Sequence, residues 1–358
     1  MKAIYPILIS LLVSQVSLAV ECDPAFMRYF SPITKMTKAK SPWHSIDMTA
    51  LRFSLSDRKN HVVYFQGFNR GELRDIGIGT VADCAQDPSV QISSEVPKEF
   101  FEGDAQAPFY GDSELERRLG LPLIAVILPF ENIDPVMGNK VKIPLVLSNM
   151  MVHENFHGQQ AAKSAYASFP AKFEPISLAN NFPPPAPSLC DKKTGYGCRI
   201  PGSCISSPEW LKEVNLEMSD LQAVQDGWSK LSIARLKKIA RKIVERRGTG
   251  TENKLTNQCW NSLREIERLE GTANYFAGAL GRDAGIPDAN ETTLLKVAGP
   301  FRGTNRNMFV SGLEFFYVSG AILCRIMDRI DPSGNWQDRI QKGAPLDLTL
   351  SDLLARSP

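Results

Sequence analysis

Histidine is scarce in this chain, with 4 residues in 358, and none follows His157. That excludes a metal site whose third imidazole lies downstream of the first two. Long apolar runs are scarce too: past the N-terminus no stretch reaches the ~18 consecutive apolar residues that a membrane-spanning helix needs. Nor does one sign of charge dominate, because 41 lysines and arginines face 39 acidic residues. Neither nucleic acid nor an anionic membrane is therefore the expected main partner. No Cys-x-x-Cys spacing occurs, which removes the usual zinc-ribbon pattern. What remains is an ordinary soluble composition, 43% hydrophobic, at a length that suits two domain-sized units or one large fold.

The N-terminus stands apart. Lys2 precedes an apolar run over residues 4–16, and Ser17-Leu18-Ala19 places small residues where a signal peptidase would cut, so residues 1–19 read as a secretory signal peptide. The mature protein is then secreted or periplasmic, with no stable membrane span. All seven cysteines follow the expected cut, and disulfides are expected in that compartment. Cys22 raises lipidation as a second possibility, although Glu21 is a poor fit to the small residue that should precede such a site. The odd count leaves one thiol over. Cys324, within an apolar helical run beside Ile322, Leu323 and Ile326, is the expected buried free thiol.

Residues 20–40 show no clear period and read as a tether or a short pro-segment. A β-rich upper part is expected over 41–169. His61-Val62-Val63-Tyr64-Phe65 lies between a polar turn and Gly67, as in a hairpin, and the apolar run 121–130 reads as a buried strand. A further edge strand over 142–145, with Pro144, could accept an extended peptide by strand addition or serve as a plain connector. His44 and His61 read as surface or packing residues. Residues 170–207 form a Pro- and Cys-rich loop, whose Cys190, Cys198 and Cys204 suit a disulfide staple better than a second metal site. From 208 to 358 helices are expected. One of them carries a basic stripe (Arg235, Lys237, Lys238, Arg241, Lys242, Arg246, Arg247), which reads as a solvated face or an anion-binding surface. Asn290-Glu291-Thr292 is a formal glycosylation sequon. The fold class is α+β.

The chemistry concentrates in Met150-Met151-Val152-His153-Glu154-Asn155-Phe156-His157-Gly158. On a helix starting near Ser148, His153 and His157 are one turn apart on one face, as two ligands of one metal ion must be. Glu154 lies beside that face, where a carboxylate can take a proton from a metal-bound water. The stretch has the His-Glu-x-x-His pattern of zinc hydrolases. A catalytic zinc site usually takes three protein ligands plus water, and with no later histidine a downstream glutamate is the natural third. On the helix expected over 259–280, an apolar stripe (Leu263, Ile266, Ala273, Ala277, Leu280) has Glu270 inside it. A carboxylate facing a core is costly unless paired or bound to a cation, which makes Glu270 the leading candidate. Glu267, nearer the border of the stripe, competes with it. Gly271 would allow close approach of the metal helix, and Asn274, one turn on, could orient a ligand histidine through its side-chain carbonyl.

These two segments, His153-Glu154-Asn155-Phe156-His157 and Leu269-Glu270-Gly271-Thr272-Ala273-Asn274-Tyr275, resemble the gluzincin branch of zinc metallopeptidases, in which a glutamate on a second helix completes the site. They cover a small fraction of the chain, and they lie further apart than in the best-known members. The resemblance implies a zincin-like arrangement, a sheet plus metal helix above a lower helical region with the cleft between. It implies Zn2+ as cofactor, a peptide or protein as substrate, and Glu154 as general base. It also implies a donor for the oxyanion, for which Tyr317 and Tyr275 are candidates. The expected function is a zinc-dependent peptidase of the exported compartment. Rival readings are an inactive zincin-like binding or inhibitory protein and a zinc amidase acting on cell-wall peptides. The cysteine reading is testable by itself: non-reducing peptide mapping of the exported protein should find at least two of Cys190, Cys198 and Cys204 oxidised, and three free thiols would contradict it.

Overall fold

The β-branched and aromatic runs around the polar turn fold as a hairpin. The computed structural model describes residues 22–57, 59–101, 124–128, 148–149, 151–157, 207–248, 259–261, 264, 267–285 and 308–356. Strand β1 (Phe53–Asp57) pairs antiparallel with β2 (Val62–Gln66), Asp57 opposite Val62. Asp57 closes the turn by accepting the backbone N–H groups of Lys59 and Asn60 at 2.9 and 3.2 Å. His61 takes a left-handed φ of 52°, a region in which histidine is more common than most residues. β3 (Ala82–Cys84) and β4 (Asp87–Ser93) extend the sheet antiparallel beyond β2, and β5 (Ile124–Leu128) pairs parallel with β1. The order is β3-β4-β2-β1-β5. β5 is the strand expected within the apolar run 121–130.

Both faces of the central strands are buried, and the period-2 alternation assigns each face its partner. Val62 and Tyr64 of β2 join Phe53, Leu55, Val90 and Ile92 in the main core. Val63 and Phe65 point the other way, into a small cluster with Leu73, Ile76, Ile78 and Phe100. That second face is roofed by helix α2 (Arg70–Asp75), which starts at a reciprocal cap between Asn69 and Glu72.

Residues 20–40 are not a tether. Helix α1 (Pro24–Lys38) opens with the Asp23 side chain accepting the Ala25 N–H at 2.7 Å and Pro24 in its first turn, a favoured start. Met27, Phe30, Ile33 and Met36 are buried in the main core. Their spacing of three is a helical stripe, but Pro32 inside it argues against a helix, and here tertiary packing overrides that cost. Phe26 stacks on Tyr64 with centroids 5.0 Å apart, and Thr34 Oγ1 donates to Asp87 at 2.8 Å. A Cys22–Cys84 disulfide ties the start of α1 to β3. It engages the sulfur that lipidation would need.

The other regular elements among the described residues are helical, so the architecture is α+β as expected. Short helix α3 comprises residues 148–149 and 151–157. It is followed by α4 (Pro208–Gly227), α5 (Ile233–Gly248), a wide π-helical turn (Glu267–Gly271) continuing as α6 (Thr272–Asp283), and α7 (Met308–Ile330), then α8 (Trp336–Gln341) and α9 (Leu346–Arg356). α7 is the hub, in contact with α4, α5, the π turn, α6 and α9. Cys324 on it is a buried free thiol, as expected, and Cys259 is disulfide-bonded. Among the described residues no helix is long and apolar enough to cross a membrane. The strand expected over 142–145, the loop 170–207 up to residue 206, the later turns expected of the helix that carries the histidines and the Asn290 sequon lie outside the described residues.

α3 is fastened to the sheet by one side chain. Asn155, fully buried, accepts the Arg52 N–H at 3.3 Å and donates to the Arg52 carbonyl at 2.7 Å, so its amide pairs with the backbone just before β1 as a neighbouring strand would. Phe156, on another side of the helix, packs on Trp43 and Phe276, with centroids 5.3 and 4.7 Å away. Replacing Asn155 with alanine strands both Arg52 groups and should cost about 2–4 kcal/mol. Urea denaturation measures it, and a loss below ~0.5 kcal/mol would show that the clamp does not hold the helix.

Candidate metal centre

Helical spacing puts His153 and His157 on the same face of α3, and the fold brings one residue of the π turn against them. His153 Nε2 and His157 Nε2 are 3.0 Å apart, and each is 3.2 Å from Glu270 Oε2. These three side chains form a group able to hold a metal ion. Tetrahedral zinc with ligand bonds of about 2.0–2.1 Å sets its corners about 3.3–3.4 Å apart. The triangle of donor atoms is close to one face of such a tetrahedron, and two imidazoles with one carboxylate are a familiar catalytic donor set. His153 and Glu270 are each 6% exposed, so these donors are poorly satisfied by water.

The electrostatics follow from that crowding. Burial by itself would push the Glu270 carboxyl up, but the two imidazoles beside it hold it well below the usual carboxylate range. Glu154 differs. Its side chain is half-buried and poorly solvated, which raises its carboxyl above the ordinary value; Glu270 adds to the rise, and the two histidines oppose it. A carboxylate raised in this way is a better proton acceptor than a free one.

Glu267, the competing candidate, is turned elsewhere. Its carboxylate is held by Arg247 and by the Ser319 hydroxyl in the interior. Asn274 Nδ2 donates to the Tyr317 carbonyl at 3.1 Å and so joins α6 to α7. Tyr317 itself stacks on His153, with centroids 5.5 Å apart and planes 27° from parallel. Tyr275 does not face the centre. It lies in an aromatic cluster with Trp43 and Trp336, and its hydroxyl donates to Asp328, so the structure removes it as an oxyanion donor. Burial first, and Asp328 second, push its hydroxyl far above the usual range.

His44 hydrogen-bonds Gln337 and Asp338, each at 2.7 Å, and His61 packs edge-on against Phe101; neither approaches the centre as a ligand. The basic stripe of α5 divides. Arg235, Lys238, Arg241 and Lys242 are exposed, whereas Arg246 pairs with Asp220 at 2.7 Å and Arg247 is buried between Glu217 and Glu267. The sequence reading missed Arg247 and Glu217 as interior charges, although a signal existed. Leu236, Ala240, Ile243 and Arg247 form one buried stripe of α5, as Trp210, Val214, Glu217 and Leu221 do on α4.

Comparison with family models, with curated proteins and with solved structures finds no match to this chain. The donor triangle makes its own prediction. The purified protein should bind one equivalent of zinc, and Glu270→Ala should lose stoichiometric binding; elemental analysis after desalting checks both. Retention of a full equivalent by Glu270→Ala would remove this residue from the ligand set.

Proposed function

We propose that this protein is an exported zinc-dependent peptidase of the gluzincin type, with a zincin-like site in which a peptide bond is hydrolysed by an activated water. The observation that carries the reading is the buried triangle of His153, His157 and Glu270 with the half-buried carboxylate of Glu154 on the same helix. Zinc, when bound by those three side chains, supplies a Lewis acid and lowers the pKa of a coordinated water. Glu154, on the same helix as the two histidines but outside the donor triangle, would take the proton from the attacking water and hand it to the departing amine. Tyr317, whose ring stacks against His153, is the proposed donor of a hydroxyl to the oxyanion. The Cys22–Cys84 disulfide agrees with an oxidising compartment and hence with export.

The division of labour is testable because Glu154 is not in the ligand triangle. Glu154→Gln should keep zinc near one equivalent yet lose about 100- to 10,000-fold of peptide hydrolysis, the usual span for general acid–base help. His157→Ala should lose both. Wild-type protein that is fully loaded with zinc and cleaves nothing across a broad peptide library is the result that would favour a binding or inhibitory role. Cleavage confined to cell-wall peptides would make it an amidase of the same mechanism.

A further inference from the structure

Glu267 and Glu270 are three residues apart in a helical segment, and both are buried. In a regular α-helix such residues lie about 60° apart around the axis and share a face. Here one carboxylate faces the Arg247 guanidinium and the other faces the two imidazoles. The π-helical turn over Glu267–Gly271 accounts for the difference, because a wider turn spreads side chains further around the axis. Such turns are rare and are common at functional sites.

The wide turn is held on three sides. Thr272 Oγ1 donates to the carbonyls of Arg268 and Leu269 at 2.7 and 3.0 Å, groups that a widened turn loosens. Gly271 lies directly on α7: a Cβ there would be 2.5 Å from the Gly320 Cα, and a Cβ on Gly320 would be 2.7 Å from the Glu267 carbonyl oxygen. On the third side Arg247 grips Glu267. Arg247 is in turn fixed by the Glu217 carboxylate and by the Trp260 ring 4.9 Å away. Its own carbonyl accepts from Arg264, which also pairs with Asp347 of α9. The guanidinium is thus held by Glu217 of α4 and by Trp260 before it touches the π turn, while Arg264 ties the backbone behind it to α9.

We infer that Arg247, Glu267 and Ser319 are positioning residues for the metal centre: by capturing Glu267 in the interior they set the register of the π turn, so that Glu270 alone is aimed at His153 and His157. This rests on the metal-centre reading. Without the capture, relaxation of the turn toward α-helical geometry brings two carboxylates onto one face, and the third ligand is no longer fixed. The assignment adds a function to an ion cluster that would otherwise be explained by stability alone.

The test uses the full exported chain and metal ions alone. Zinc affinity is measured by competition with a chelator, and ligand geometry by the visible absorption of the cobalt(II)-substituted protein. Glu267→Gln, nearly isosteric, should fold and still bind one zinc at saturation, with affinity lowered about 10- to 100-fold, as expected for partners behind a ligand shell. Its cobalt spectrum should change. Ser319→Ala, which strands no charge, should shift both in the same direction by less, and Leu350→Ala on α9 controls for lost stability. Unchanged affinity and spectrum in Glu267→Gln overturns the inference while leaving the metal centre intact. If that variant does not fold, unchanged affinity and spectrum in Ser319→Ala overturns it. An equal loss in Leu350→Ala also overturns it, because general destabilisation then suffices. No zinc binding by wild type defeats the metal-centre reading itself.

Discussion

Three ligand atoms held within 3.2 Å of one another in a water-poor interior are the constraint on which the rest of this structure depends. Two imidazoles and a carboxylate do not gather that closely for packing. Burying a carboxylate costs several kcal/mol unless it is paired or bound to a cation. A divalent cation held by the three side chains would resolve the conflict. The groups come from distant stretches of the chain, so the fold must deliver each of them to within about half an ångström for the site to work.

It does so with two independent fastenings. The histidine arm is carried by α3, which Asn155 joins to the backbone of Arg52 at the entrance to β1 and which Ser148 joins to the Tyr29 carbonyl of α1 at 2.8 Å. The glutamate arm is the π turn, fixed by Arg247 on one side and by the α7 backbone at Gly320 on the other. Between the arms runs an aromatic seam, Phe156 on Phe276 and Trp43 on Tyr275 and Trp336, which merges the sheet and the helices into a continuous core. Tyr275 and Tyr317 show how this seam sorts residues that a sequence cannot. Tyr275 turns inward to Asp328, while Tyr317, on the facing helix, is left against His153.

Much of this was legible in the sequence, for reasons that also explain what was not. The His153/Glu154/His157 spacing is local, so helical geometry alone puts the histidines together. Glu270 was legible because a charge within an apolar stripe demands a partner. The same rule applies to Arg247 in the stripe of α5 and Glu217 in that of α4, yet a stripe states only that a partner exists. Which of several buried charges meet is a tertiary fact, and so Arg247 was read with its exposed neighbours. α1 was hidden by Pro32, whose local cost is overridden by burying Phe30 and Ile33 against the sheet. The π turn has no sequence signature, although Gly271 did mark a close approach. Its partner is Gly320 on α7 rather than the metal helix.

The most direct test of the account is an anomalous diffraction experiment at the zinc absorption edge on crystals of the purified protein. The account predicts a single strong peak in contact with His153, His157 and Glu270 together, with Glu267 turned away toward Arg247. Fully ordered side chains at that position with no peak after incubation with zinc, or an ion bound by Glu267 in place of Glu270, would contradict it.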